Sequence, residues 1–459
     1  MERKQINKQI LFGGFICFLF LFTQQGICQK HIYDDTIKDT KNFNTDGSYY
    51  NCLFPNGIYL KDDTFSDDAL FQASFFKKGA TFNHINFGKN ATFSYCTFSK
   101  NADFSKSYFS DYANFDSVVF SSNSYFSPTV FRGSSDFHKT FFGGDTYFSM
   151  DSFNNTANFC NVPFYGNAYF FKTVFKKNAD FKYDTFYHNS NFYRTTFSKN
   201  VNFYHSTVYK DIYFTEAVFL HKATFSELYL KPSSRLLFYR TILPDTVDFS
   251  YIFEIPKPID LTNAKFTSSD TIHIFLYKSD ISKIYLDYIH FRLLFVNPMN
   301  HIVISSDERK SIYELVLKNF KDKGQKDSYE ALDKEYQAYK WSVRPWYTKW
   351  FGIFDKWWWN YGYEKWWVFI WTFGFILVFV PITLCQLDNL KTIYDIKIKD
   401  LSTKNRLYQS ILFTICIFFP LTLKSEQIKS SGKGLLYIVF VYLMGLICVA
   451  YIANFILHK

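Results

Sequence analysis

The side chains able to do chemistry are numerous but dispersed. The ten histidines include no close pair at metal-ligating spacing, and His84, His138, His188 and His205 are spread over outward positions of a Phe-rich segment. Eight cysteines form no CxxC pair. Cys17 and Cys28 stand in an N-terminal leader, Cys52, Cys96 and Cys160 in the body of the chain, and Cys385, Cys416 and Cys448 in apolar stretches near the C-terminus. Isolated buried thiols are expected, with neither a zinc site nor a disulfide framework. No glycine-rich phosphate loop, GxSxG elbow or HExxH is present. Glu330, Asp333, Lys334 and Glu335 read as the solvated face of a helix. No catalytic residue, metal ligand or cofactor site is assigned, and a non-enzymatic role is expected.

What those residues sit on is a repeat. Of 459 residues, 58 are Phe and 35 are Tyr, far more than ordinary usage, so a repeated structural cause is required. In "NATFSYCTFSKNADF" the rings fall at Phe93, Phe98 and Phe104, five and then six residues apart. The alternation runs from Phe43 to Leu230, or 17 periods of eleven, and never slips. Two residues before every other ring stands Ala or Ser, as at Ala80, Ala91, Ala102, Ala113, Ser124 and Ser135. One large and one small inward position per short unit predicts a solenoid: four units close a coil of 22 residues, and stacked coils pile the rings into a dry core. Eight or nine such coils, about 4.8 Å apart, give a body on the order of 40 Å long. Burial at roughly 2–3 kcal/mol per ring offsets the chain entropy.

"NADFSKSYFS", "SKNADF" and "NADFKYDTF" match a unit of small residue, Asp or Asn, large apolar residue and two polar residues. In this the segment 43–266 resembles the pentapeptide-repeat family. The resemblance implies an all-β, right-handed quadrilateral β-helix, with the sixth residue of alternate units bulging two corners of each coil. Some members of that family mimic DNA. Between residues 41 and 230 this chain carries 17 basic against 16 acidic residues and no acidic stripe, so neither mimicry nor a nucleic-acid partner is expected.

The ends of the chain place the repeat. Arg3, Lys4 and Lys8 precede "ILFGGFICFLFLF", with Gly26 and Cys28 before a cut ahead of Gln29, so 1–28 reads as a signal peptide and the solenoid as exported. Residues 267–304 read as strands that cap the open end. Residues 305–340 read as a helical hairpin, with Ser305 or Ser306 as N-cap, Ile312, Leu315, Val316 and Phe320 on its apolar face and Gly324 at the turn. "WYTKWFGIFDKWWWNYGYEKWW" then holds seven of the nine Trp, so 341–365 reads as an interfacial aromatic belt. Beyond residue 230 the chain carries 29 basic against 21 acidic residues, as membrane-proximal loops do.

Transmembrane helices are expected over 366–385 and 435–457, with a short apolar segment at 410–423 between them. Long, short, long, with Gly445 and Ala450 at packing positions of the last helix, resembles the pore module of the potassium-channel superfamily. On that resemblance Thr414, Phe419, Pro420 and Thr422 are the pore-like residues. "FFPLTLKSEQ" departs from the family's Thr-Val-Gly-Tyr-Gly filter in having no Gly, so potassium selectivity does not carry over. Export of the solenoid makes 366–385 run outside to inside, which puts Lys391, Lys397, Lys399, Lys404 and Arg406 inside; three crossings are preferred to two with a re-entrant short segment.

The expected function is that of a multi-pass, membrane-anchored structural or interaction protein of a bacterial inner membrane. Its β-helix lies on the extracytoplasmic side and meets a protein or surface polymer. The alternative is an ion-channel-like protein with an atypical filter, a tetramer of this chain, in which the solenoid is sensor or vestibule.

Overall fold

The computed structural model describes residues 31–32, 49–266, 271–298, 302–394, 405–419, 428 and 433–457. The signal-peptide reading, Phe43, Pro420 and Thr422 lie outside them. The chain divides into two compact units, Met1–Tyr329 and Glu330–Lys459.

The first unit is a parallel β-solenoid. Its short strands form four parallel sheets of ten, eleven, ten and eleven strands, in which, away from the two ends, a strand pairs with the one four places on. Through the regular part the register step is 22 residues: Phe98 pairs with Phe76 on one side and Phe120 on the other, and Ala102 with Ala80 and Ser124. Every ring of the ladder from Phe54 to Phe225 is buried, as are the Ala and Ser two residues before alternate rings. Within a column the rings stack almost flat, with Phe76 and Phe98 4.6 Å apart at 3° and Phe137 and Phe159 4.9 Å apart at 1°. Columns on opposite faces meet edge to face, as Phe93 and Phe104 do at 5.1 Å and 80°. Five and six residues are thus the side lengths of a coil whose rings satisfy both favourable aromatic geometries.

The corners are of two kinds. The sixth residue is accommodated at two wide corners, while each five-residue side closes in a tight turn. In Phe137–Thr140 the Thr140 N–H donates to the Phe137 carbonyl at 3.0 Å, and Lys139 has a φ of 53°. The same left-handed position recurs every eleven residues, for example at Ala73, His84, Tyr95 and Lys106. A positive φ at the third residue is what a type II turn requires.

Polar residues of the repeat hold these turns. Asp103, Asn114, Asp136, Asn158, Asp180 and Asn202 each accept the backbone N–H two residues on, at 2.9–3.2 Å. This is an Asx bond that precedes the turn and explains the Asp or Asn of the unit. A second set points inward, two residues before the rings of the tight sides. The hydroxyls of Ser74, Ser107, Thr140, Thr173, Thr195 and Ser206, and the Cys96 thiol, donate to a backbone carbonyl 25 residues back, between 2.5 and 2.7 Å. Where the Oγ also accepts, it takes the N–H that ends the same turn: Cys52 N–H to Ser74 Oγ at 3.1 Å and Ile85 N–H to Ser107 Oγ at 2.9 Å. At these positions one hydroxyl stitches a turn to the coil after it.

The solenoid runs further than 266. The strands expected as a cap continue the sheets: Ile272–Phe275 pairs with Phe291–Leu294, and Ile284–Tyr285 with Ile259–Asp260. The period is obscured there because coil length varies: Ile212 pairs with Leu236, Val247 with Ile274 and Ile274 with Leu293, steps of 24, 27 and 19 residues. The end is closed instead by helix α1, Ser306–Asp322, whose Ser305 and Glu308 form a reciprocal capping box. Its buried face is Ile312, Tyr313, Val316, Leu317 and Phe320, and Leu315 points to solvent. Tyr313 lies 4.6 Å from the Phe295 ring, and Asn319 donates to the Ile281 carbonyl at 2.7 Å. The turn at Gly324, φ 68°, leads to helix α2, Lys326–Ser342.

The second unit continues with α3 (Lys349–Trp359), α4 (Trp367–Ile393), α5 (Arg406–Phe418) and α6 (Lys433–Leu457). Helices α4 and α6 are long and apolar enough to cross a membrane; α5 is not. Its 13 residues reach about 20 Å, against a hydrocarbon core of about 30 Å. Helix α4 runs past Cys385, and its polar end is tied to α5 by Lys391 to Gln409 at 2.7 Å and Arg406 to Asp388 at 2.8 Å.

Candidate functional site

Three places hold the polar and aromatic side chains that could act. The first is the outer surface of the solenoid. His84, His138 and His205 are each set one coil from an acid: Asp62 at 2.5 Å, Asp116 at 2.9 Å and Glu227 at 2.9 Å. The His84 bond holds the Asp62 carboxyl below its ordinary range. These are ladder pairs, not clusters, and among the described residues no group of three His, Cys, Asp or Glu could hold a metal ion. The 22-residue spacing of Asp62–His84 and Asp116–His138 was the signal available in the sequence. Tyrosines stack outward in the same way: Tyr165, Tyr187 and Tyr209 lie 4.3 and 4.8 Å apart. Their faces cover one another, so ring edges and hydroxyls are what they offer. Six cysteines are described, all free, with Cys52, Cys96 and Cys448 buried.

The second place is the contact of α4, α5 and α6. Thr414 is buried and donates to Thr383 Oγ1 at 3.0 Å; Thr383 meets the Tyr437 hydroxyl at 3.0 Å, and Tyr437 donates to the Phe379 carbonyl at 3.0 Å. A residue from each helix joins one polar chain. Thr414, read from the sequence as pore-like, is thus turned into the contact within one chain. Phe419 caps α5, with its ring 5.4 Å from that of Phe418. Gly445 lets α6 meet the end of α5: a Cβ there would overlap the Phe418 carbonyl. The packing expected of Gly445 is thereby given a partner.

The third place is the aromatic belt. Trp358 is fully buried, in ring contact with Phe354, Trp371, Phe375 and Tyr451. Trp346, Trp350, Phe351, Ile353, Trp357 and Trp366 remain exposed, from 55% at Trp357 to 78% at Trp346. So many exposed large rings on one short segment are costly in water and ordinary at a membrane interface. Between α3 and the start of α4, Ile353 and Trp357 border a cavity of about 460 Å³.

The sequence showed the ladder and the belt but not the inward hydroxyls, because Ser and Thr at those positions alternate with Ile85, Cys96, Val118 and Val162. No family model, no curated protein and no solved structure matches this chain.

Proposed function

We propose that this chain is a membrane-anchored, non-enzymatic interaction protein of pentapeptide-repeat type. Its solenoid is exported and meets a protein or surface polymer, and its C-terminal helices hold it to the bilayer. One observation carries the reading. Side chains that could bear chemistry are taken up by the scaffold: the Asp and Asn of the repeat hold turn N–H groups within a coil, and the inward hydroxyls tie one coil to the carbonyls of the coil before it. What is left for a partner is a long polar surface. The anchor is supported by the two apolar helices α4 and α6 and by the exposed belt before them.

The test is fractionation combined with protease access. The full chain should stay with carbonate-washed membranes, and protease added to the extracytoplasmic side should degrade the solenoid. Recovery in the soluble fraction, or protection of the solenoid, overturns the reading. The channel-like alternative needs about four subunits round an axis. Engagement of Thr414 with Thr383 inside one chain favours the anchor. A tetramer in detergent that conducts ions in a planar bilayer would reverse that preference.

A further inference from the structure

The cavity beside α3 is lined by Ile353, Lys356, Trp357, Asn360, Glu364, Trp367 and Trp371, and its volume of about 460 Å³ is in the usual range for a small-molecule site. Its walls are set by an unusual turn. Asn360 and Tyr361 follow one another with φ of 51° and 58°, neither a glycine. Successive left-handed residues are held only where the surroundings impose them, and they gather at binding sites. The turn folds the start of α4 back against α3, with Asn360 donating to Glu364 Oε1 at 2.7 Å. Trp357 and Trp371 stand 3.8 Å apart, and Trp367 6.2 Å from Trp371.

The chemistry of this wall is specific. Three indoles and one carboxylate suit an ammonium group, which is drawn to the ring faces and to Glu364. Lys356 lines the same cavity and makes no ion pair among the described residues. It suits a phosphate as a point charge. The two demands meet in one molecule when a phosphodiester and an ammonium are joined by a short linker. The position agrees, because exposed Trp350 and Trp357 on α3 and Trp366 ahead of α4 mark the level at which headgroups lie.

We infer that this cavity binds the headgroup of a zwitterionic phospholipid, with its phosphate on Lys356 and its ammonium among Trp357, Trp367 and Glu364. The inference rests on the membrane reading above. The ligand pins the belt to the bilayer surface and fixes the depth of α4.

The experiment uses the full chain, purified in detergent, stripped of lipid and offered equal amounts of phosphatidylethanolamine and phosphatidylglycerol, with retained lipid read by native mass spectrometry. Phosphatidylethanolamine should be retained several-fold over phosphatidylglycerol. Glu364→Gln should abolish that preference by weakening the ammonium lipid about tenfold, whereas Lys356→Ala should weaken both lipids. Both residues are exposed, and unchanged melting temperatures would show that the variants fold. Equal retention of the two lipids by the unaltered chain, or indifference to both substitutions, overturns the headgroup site and leaves the membrane reading standing. A chain that stays soluble and monomeric without detergent overturns both.

Discussion

Asp151 accepts the backbone N–H of Thr129, one coil before it, at 2.7 Å, and its second oxygen is buried without a partner. Its neighbours in the column, Thr129 and Thr173, each donate from Oγ1 to a carbonyl 25 residues back. The site asks one group both to accept an N–H and to donate to a carbonyl. A hydroxyl can do both; a carboxylate can only accept. Burial pushes the Asp151 carboxyl well above its ordinary range, against the smaller opposing effect of the Thr129 N–H, so the folded site disfavours the carboxylate form. Asp184 repeats the arrangement on Val162, at 2.8 Å and with the same shift.

Asp151→Thr should therefore stabilise the solenoid, and more so as pH rises. In the folded chain the acid titrates above its unfolded value of about 3.9. Its contribution is full below that value and is lost as pH rises toward the folded pKa, where ionising a buried acid opposes folding. Melting curves at pH 5 and pH 8 should show the gap between variant and parent widening at the higher pH. A variant less stable by the same amount at both would refute the account.

Lys139 sits at φ 53° with its side chain exposed. Left-handed backbone costs an ordinary residue roughly 1 kcal/mol, and Asn tolerates it best after Gly. Lys139→Asn should gain about 0.5–1 kcal/mol in denaturant melts. No change would mean that the turn is relaxed by its bond to Thr140.

Val208 interrupts a ring column, lying between Phe186 and Leu230 in register. A narrow void with no room for a water borders it, lined also by Phe203, Phe214 and Phe225. Val208→Leu adds one methylene to that void and should gain about 0.8 kcal/mol. Loss of stability would show that Ile212, in a place filled by Ala or Ser in most coils, already occupies the space.

These cases show how far the fold was legible. Ring spacing gave coil length, register and inward faces, because a side chain as large as Phe has one place to go in a 22-residue coil. The tight corners were not legible, since Lys139, Tyr183 and Arg194 carry no glycine-like mark of a positive φ. The last coils were missed because steps of 24, 27 and 19 residues break the period while the hydrogen-bonded ladder tolerates them. Among the pore-like residues, Thr414 was singled out on the resemblance to a pore module, and its contact was not legible. Its partner Thr383 stands 31 residues away on another helix, and such contacts leave no periodic trace.

Gly445 supplies the last prediction. The Phe418 carbonyl occupies the space a Cβ would need, and it is backbone at the end of α5, with little freedom to yield. Small residues at helix contacts in membranes act by allowing this approach, since apolar burial gives no advantage within lipid. Gly445→Leu should push α5 from α6 and cost about 1–3 kcal/mol, the range for overpacking. It should also lengthen the separation that lets Thr414 reach Thr383. Thr414→Val removes only that hydrogen bond and should cost about 0.6 kcal/mol. If the Gly445→Leu and Thr414→Val losses act through the same contact, the double variant in detergent will lose less than the sum of the singles. Simple addition would place the two contacts in independent parts of the helix packing.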